Sequence, residues 1–248
     1  MAHRCGYKDA KELENSIAAL NYCNSKEYID GIELDCLLTE DKKIVVFHDS
    51  FVRIDEKVKN VSKLSFRELD DWYYEKNHCH LNTLEEMLKA VRISKILFIE
   101  LKNGLLKDDS NKVFIELVNK EIKKHKLKKT KILCFSERML NDFHKVNKKE
   151  SLCLLVSKSS YLYNAKLIYN MYLNKRIHTI AIHKSMVTKK RVKKLLQNHF
   201  LAIYTIKNKK EMEKIMNILG DLYGRYQDRF IFITNAPSIV NRVINKIN

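Results

Sequence analysis

The stretches "GIELDC", Gly31–Cys36, and "LFIELK", Leu97–Lys102, decide how this chain is read. The first alternates apolar and polar residues with period two, and the second does so from Ile99 to Lys102, the pattern of a strand with two unlike faces. In the first, Ile32, Leu34 and Cys36 share one face, and Glu33 and Asp35 share the other. In the second, Glu100 and Lys102 repeat the charged pair at i and i+2. Paired carboxylates on one strand face fit a solvated surface or a metal site, and a single strand leaves both open.

Working outward, the same strand-like runs recur along the chain. They predict strands over Met1–Cys5, Gly31–Cys36, Ile96–Leu101, Lys131–Phe135, Leu152–Val156, His178–Ile182, Leu201–Thr205 and Phe230–Thr234. Helical patterns lie between them. Thr83 and Glu86 have capping-box spacing ahead of an apolar face, and Pro237 stands near a helix start. After the turn-like "TEDKK", the run "KIVVFHD" reads as the return arm of a hairpin on the Glu33–Asp35 strand. Eight strands alternating with helices in a chain of 248 residues predict an α/β fold, a (β/α)8 TIM barrel. A doubly wound open sheet has a similar alternation, so the count alone does not choose. One proline, five glycines and no low-complexity linker favour one domain over residues 1–248.

Composition narrows the classes. No apolar run reaches the roughly 18 residues of a membrane span. "MAHRCGYKDAKE" carries no signal-peptide core, so a cytoplasmic location is expected. The six cysteines form no C-x-x-C pair and read as free thiols. The net charge of +17 invites a polyanion partner, but lysines such as those of "KKRVKK" read as a solvated helix face without aromatic interleaving. No specific nucleic acid is expected; weak contact with an anionic membrane surface is compatible with the charge.

In a barrel, chemistry gathers at the C-terminal ends of strands. There the sequence places His3 and Arg4, Glu33 and Asp35, His48 and Asp49, and Glu100 and Lys102. Three carboxylates a few ångströms apart would force a proton onto one of them unless a cation intervenes. An all-oxygen set suits one divalent cation, Mg2+ or Ca2+, rather than zinc. Arg4 and Lys102 match a phosphate, and His3 and His48 supply proton-transfer groups. Together they describe metal-assisted phosphodiester cleavage.

At this point "AHRCGY…LENSIAAL…DGIELDCLLTEDKKIVVFHD…LNTLEEML…LFIELK" resembles the glycerophosphodiester phosphodiesterase family. The resemblance continues through "ILCFSERML", "TIAIHKSMVTKKRVKKLL", "LAIYTIKNKKEM" and "IFITNAPSIV". It implies the barrel, with a short insertion at residues 50–81 after the hairpin arm. It implies hydrolysis of a small-molecule glycerophosphodiester to glycerol 3-phosphate and an alcohol, with the glycerol 2-hydroxyl attacking through a cyclic phosphate. Glu33, Asp35 and Glu100 would be the metal ligands, His3 and His48 the general acid/base pair, and Arg4 and Lys102 the phosphate binders. Glu14 and Asn15 would brace the first-strand loop, with Asp49 in support. The chain departs from the family pattern at Cys5, where Gly usually follows His-Arg, and at Leu13, where Pro precedes Glu-Asn. Its hairpin turn lacks the usual Gly, Tyr204 replaces Trp, and Asn235 replaces Asp. The last two bear on substrate choice.

Two other readings stay open: a phosphodiesterase acting on phospholipid or a glycerophosphate polymer, and a non-catalytic basic anion- or nucleic-acid-binding protein. His78, Cys79 and His80 read as a solvated loop rather than a metal site. Trp72, Tyr73 and Tyr74 read as packing of the insertion. His183 is placed equally well at the mouth or in a structural role.

Overall fold

The computed structural model describes residues 1–102, 108–127, 129–159, 174 and 176–246. Seven parallel strands follow one another around the sheet: β1 (Gly31–Leu38), β5 (Ile96–Leu101), β6 (Thr130–Cys134), β7 (Ser151–Val156), β8 (Thr179–His183), β9 (Phe200–Ile206) and β10 (Phe230–Thr234). β2 (Ile44–Val46) returns antiparallel along the C-terminal half of β1, as the hairpin reading expects.

The ring closes on one residue. Ala2 bridges to Ile32 on β1 and to Thr234 on β10, both in parallel sense. Its N–H donates to Gly31 O at 2.8 Å, its carbonyl accepts from Glu33 N at 2.9 Å, and Thr234 N donates to Met1 O at 3.1 Å. The expected first strand, Met1–Cys5, is therefore corrected to a stub. From His3 the backbone enters a tight turn, because Arg4, Cys5 and Gly6 hold φ of 48°, 61° and 60°. The turn aims the Arg4 amide at the Glu33 carboxylate, 2.7 Å away. Gly6 suits this path doubly, since a Cβ there would come within 3.2 Å of Ala2 and Pro237.

Period-two alternation sorts the staves as the sequence predicts. Ile32, Leu34, Cys36, Ile99, Ile132, Leu154, Ile180 and Ile203 face outward into the main core beneath the helices. Phe98, Leu133, Cys153, Leu155, Ala181, Ala202 and Ile233 fill the barrel interior. Alanines opposite Phe98 and the two leucines let large and small side chains share that narrow space. The predicted helix starts hold: Thr83 and Glu86 form a capping box, and Pro237 is the first residue of the helix Pro237–Ile244.

Residues 50–81 hold a hairpin, β3 (Phe51–Ile54) with β4 (Lys57–Asn60), and a helix, Phe66–Asn77, capped by Ser65 and Glu68. They bury a small core of Leu37, Val45, Val52, Val61, Leu64, Leu69 and Leu81, against which Trp72 and Tyr73 pack. Both rings lie edge-on to Phe47 at 6.1 Å, and the Trp72 indole donates to Arg53 O. The exposed Tyr74 stacks on His80 instead. All six cysteines are free. Among the described residues no helix is long and apolar enough to cross a membrane.

Candidate active site

Parallel pairing brings the carboxylates together. β1 and β5 run in register with Asp35 opposite Glu100, so both side chains leave the same face, two residues beyond Glu33 and Phe98. Glu33, Asp35 and Glu100 are 1%, 0% and 6% exposed. Each offers an oxygen within 4.8 Å of the others, the one such group of potential metal ligands among the described residues.

Two cations stand against these three carboxylates. The Lys102 ammonium lies 3.1 Å from Asp35 Oδ1 and 2.8 Å from Glu100 Oε1. Arg4 Nε lies 3.4 Å from Asp35 Oδ2, while its Nη1 is held by both oxygens of Glu14 at 2.8 and 2.9 Å. The consequence is one carboxylate too many. Burial and the neighbouring Asp35 and Glu100 push the Glu33 carboxyl far up. Burial also lifts Glu100, to about 7, with Lys102 opposing. Burial works on Asp35 as well, but Lys102, His3 and His48 hold it below the usual range. Lys102, despite burial, is raised by Glu100 and Asp35.

Glu33 Oε1 is buried with no hydrogen-bond partner. An orphaned carboxylate oxygen inside an all-oxygen cluster fits a hard divalent cation. The fit is chemical: three carboxylates, no thiolate and no imidazole in the cluster.

The histidines are fixed by different partners. His3 Nδ1 donates to Asn235 Oδ1 at 2.6 Å, because Asn235 spends its own N–H on the Tyr7 hydroxyl at 3.1 Å. The proton thus sits on Nδ1, leaving Nε2 free to accept, 4.0 Å from Glu33. Burial lowers the His3 pKa to about 4, so the ring is neutral near pH 7. His48 Nδ1 donates to the Asp49 carboxylate at 2.6 Å, which leaves its Nε2 free as well.

Both histidines, with Arg4, Glu33, Glu100 and Lys102, line one cavity of about 140 Å³ at the C-terminal end of the barrel. The rest of its lining is mostly apolar and aromatic, Leu133, Phe135, Leu155, Tyr204 and Ile233, with Thr205 among them. A charged part beside an apolar part suits a ligand with a phosphate at one end and carbon at the other.

The geometry thus gathers His3, Arg4, Glu33, Asp35, His48, Glu100 and Lys102 around one centre, with the exposed Asp49 reaching it only through His48. Glu14 and Asn15 lie one layer out. Glu14 clamps Arg4, and Asn15 donates to Asp35 Oδ2 at 3.0 Å while its own amide binds Arg4 O. Sequence reasoning missed that Asn235 orients His3 and that Leu133, Phe135, Leu155 and Ile233 wall the cavity. The position of Phe135 just past β6 was the available signal. His80 pairs with Asp70 in an exposed loop, as expected. His183, at the end of β8, packs edge-on against Tyr204 at 5.7 Å, which places it at the mouth.

Residues 3–220 match the model of the "Glycerophosphoryl diester phosphodiesterase family". No curated protein is detectably similar to the chain. Solved structures share the fold at low identity. One from Silicibacter pomeroyi DSS-3 is 14% identical with a TM-score of 0.83, covering 99% of this chain and 92% of that one. A glycerophosphodiester phosphodiesterase from Parabacteroides distasonis is 22% identical with a TM-score of 0.76, covering 99% and 95%. An Oleispira antarctica phosphodiesterase in complex with the product sn-glycerol-3-phosphate is 20% identical with a TM-score of 0.76, covering 98% and 95%.

Proposed function

The chain belongs to the glycerophosphoryl diester phosphodiesterase family, and from that premise we propose that it cleaves small glycerophosphodiesters at the Glu33–Asp35–Glu100 centre in a metal-dependent reaction. The family makes it a phosphoric diester hydrolase, which sets aside the non-catalytic binding reading. Residues 1–248 then form one catalytic barrel, with residues 50–81 as its insertion.

The observation that carries this reading is the imbalance of three buried carboxylates against Lys102 and Arg4, with Glu33 Oε1 unpartnered. Glu33, Asp35 and Glu100 would hold one divalent cation, Mg2+ or Ca2+. When bound, it supplies positive charge to a phosphoryl oxygen.

The chain's own groups do the rest. Lys102 and Arg4 are the donors nearest the carboxylates and would orient the phosphate. His3, neutral and with Nε2 free, would accept the proton of the attacking hydroxyl. His48, backed by the Asp49 carboxylate, would deliver a proton to the departing alkoxide; that backing suits a ring that carries charge in part of the cycle. The glycerol 2-hydroxyl would attack phosphorus, forming a cyclic phosphate as the bond to the leaving alkoxide breaks; water would then attack that phosphate, the bond to the 2-oxygen would break, and sn-glycerol 3-phosphate would be released.

The direct test is release of sn-glycerol 3-phosphate from glycerophosphocholine and glycerophosphoethanolamine, with Mg2+, Ca2+ or EDTA. Turnover that needs a divalent cation and is lost in His3→Ala and His48→Ala supports the reading. Turnover that survives EDTA removes the metal role.

A further inference from the structure

The +17 charge is unevenly distributed. Residues 151–210 contain 13 Lys and Arg and no Asp or Glu at all. That stretch builds β7, β8 and β9, the side of the mouth away from the carboxylate cluster. Each of these strands hands over to a lysine at its C-terminal end. Lys158 follows β7, Lys184 follows β8 and Lys207 follows β9.

The three stand at the ends of β8, which finishes at His183, and of the strands flanking it; burial and then their charge lower the His183 pKa, while Glu211 opposes. Glu211 is the acid among them, borrowed from the next helix, Lys209–Leu219. It pairs with Lys184 at 2.7 Å and accepts the Lys207 amide at 2.8 Å. The ammonium groups of Lys158 and Lys207, both exposed, have no carboxylate partner among the described residues. His183 in turn touches Tyr204, and Tyr204 touches Phe135 edge-on at 6.2 Å; both of these rings line the cavity. The lysine rim therefore begins where the cavity wall ends. The cavity, about 140 Å³, is small, so a bulky leaving alcohol would extend past this wall toward the rim.

Aromatic rings alone would suit a quaternary ammonium there. The lysines oppose it by like charge, within a Debye length of about 10 Å at 0.1 M salt. Building on the function proposed above, we propose that Lys158, Lys184 and Lys207 select diesters whose leaving alcohol bears a further phosphate. The rim sets partner preference; the carboxylate centre sets the chemistry.

The test compares glycerophosphocholine with glycerophosphoinositol 4-phosphate, by calorimetric binding in EDTA and by turnover with Mg2+ or Ca2+. At low salt the wild-type protein binds the phosphorylated diester about 10-fold more tightly, and 0.5 M NaCl erases the difference. Lys158→Gln/Lys207→Gln brings the binding ratio, and the kcat/KM ratio where turnover is seen, near to one. The same charge change on the outer helix, Lys190→Gln/Lys193→Gln, leaves the ratios high. A glycerophosphate oligomer, as a third ligand, distinguishes a polymer from a single phosphorylated alcohol by tightening beyond the monomer. Equal affinity for the two diesters, a preference for the choline diester, or an equal effect of the outer-helix pair overturns the proposal. Selective binding without turnover of any diester would instead overturn the hydrolytic reading while sustaining the rim.

Discussion

Asp35 on β1 and Glu100 on β5 are opposite partners in a parallel register, and the Lys102 ammonium lies between their carboxylates at 3.1 and 2.8 Å. A lysine two residues past Glu100 thus occupies the flank of the cluster that a divalent cation would share. Lys102 and Arg4 stand against three carboxylates, and Glu33 is the one whose Oε1 has no hydrogen-bond partner while its Oε2 accepts the Arg4 amide.

That imbalance predicts how pH acts on the metal-free protein. Glu33 and Glu100 hold folded-state pKa values above the unfolded value of 4.5, Glu100 at about 7. Their contribution to stability is present in full below the unfolded value and is lost as pH rises through the folded one. In EDTA these two carboxyls therefore lower the melting temperature as pH rises from 5 to 8, against the opposite effect of His3 and the Met1 ammonium, which burial holds at about 4 and about 6, so the wild-type melting temperature falls relative to that of Glu33→Gln across this range. Saturating Mg2+ or Ca2+ reverses the trend, because binding displaces those protons and tightens as pH rises. Calorimetry in buffers of different ionisation enthalpy reads the released protons directly.

Removing Lys102 acts in the opposite sense. Lys102→Met leaves Asp35 and Glu100 facing each other without their cation, at a cost of about 3 kcal/mol in the metal-free state. Added divalent cation should recover much of that loss, since it supplies the same positive charge. Thermal melts of the variant with and without metal check this, and activity should stay low in both because the phosphate has lost a donor.

His3 and Asn235 make a second testable pair. Removing either imaginable proton carrier, by His3→Ala or His48→Ala, should lower kcat by about 10²–10⁴-fold. The finer prediction concerns Asn235→Asp, which restores the residue the family usually has. Burial holds His3 near 4, and a carboxylate in place of the Asn235 carbonyl would raise it. A base must be neutral to work, so the acid limb of the kcat/KM profile moves to higher pH in Asn235→Asp. An unmoved limb would assign that limb to a different group.

Much of this was legible in the sequence for a physical reason. Period-two alternation reports which residues share a strand face, so it pairs Glu33 with Asp35, and Glu100 with Lys102, from the sequence alone. Strand-end position then placed them at one mouth. The register that sets Asp35 opposite Glu100 is a relation between strands 65 residues apart, and no local pattern encodes it. The first strand failed as a prediction because "MAHRC" has strand-like residues, while tertiary bonding to β1 and β10 uses only Met1 and Ala2 and the next residues must reverse. Asn235 was visible as a departure from the family, but its bond to His3 spans the closure of the barrel. The apolar wall was invisible because Leu133, Leu155 and Ile233 look like any buried strand residue.

The turn after Ala2 gives the last prediction. Arg4 and Cys5 adopt left-handed backbone although they carry side chains, and Gly6 completes the path at φ 60°. Non-glycine residues in that region cost about 1–2 kcal/mol each, so the turn is sustained by what it achieves: the Arg4 amide on Glu33 Oε2 and the Arg4 guanidinium against Glu14 and Asp35. Gly6→Ala adds a third such residue and drives a methyl to 3.2 Å from Ala2 and Pro237. It should lower stability by about 1–3 kcal/mol and weaken metal binding as well, because the strain falls on the segment that holds Glu33. Gly220 is the control. It also has positive φ, 48°, but a Cβ there meets nothing within 4 Å and it lies far from the cluster in the chain. Gly220→Ala should therefore cost stability through its backbone alone and leave metal affinity unchanged. Equal loss of metal affinity in both variants would mean that global destabilisation, and not the turn at Arg4, controls the site.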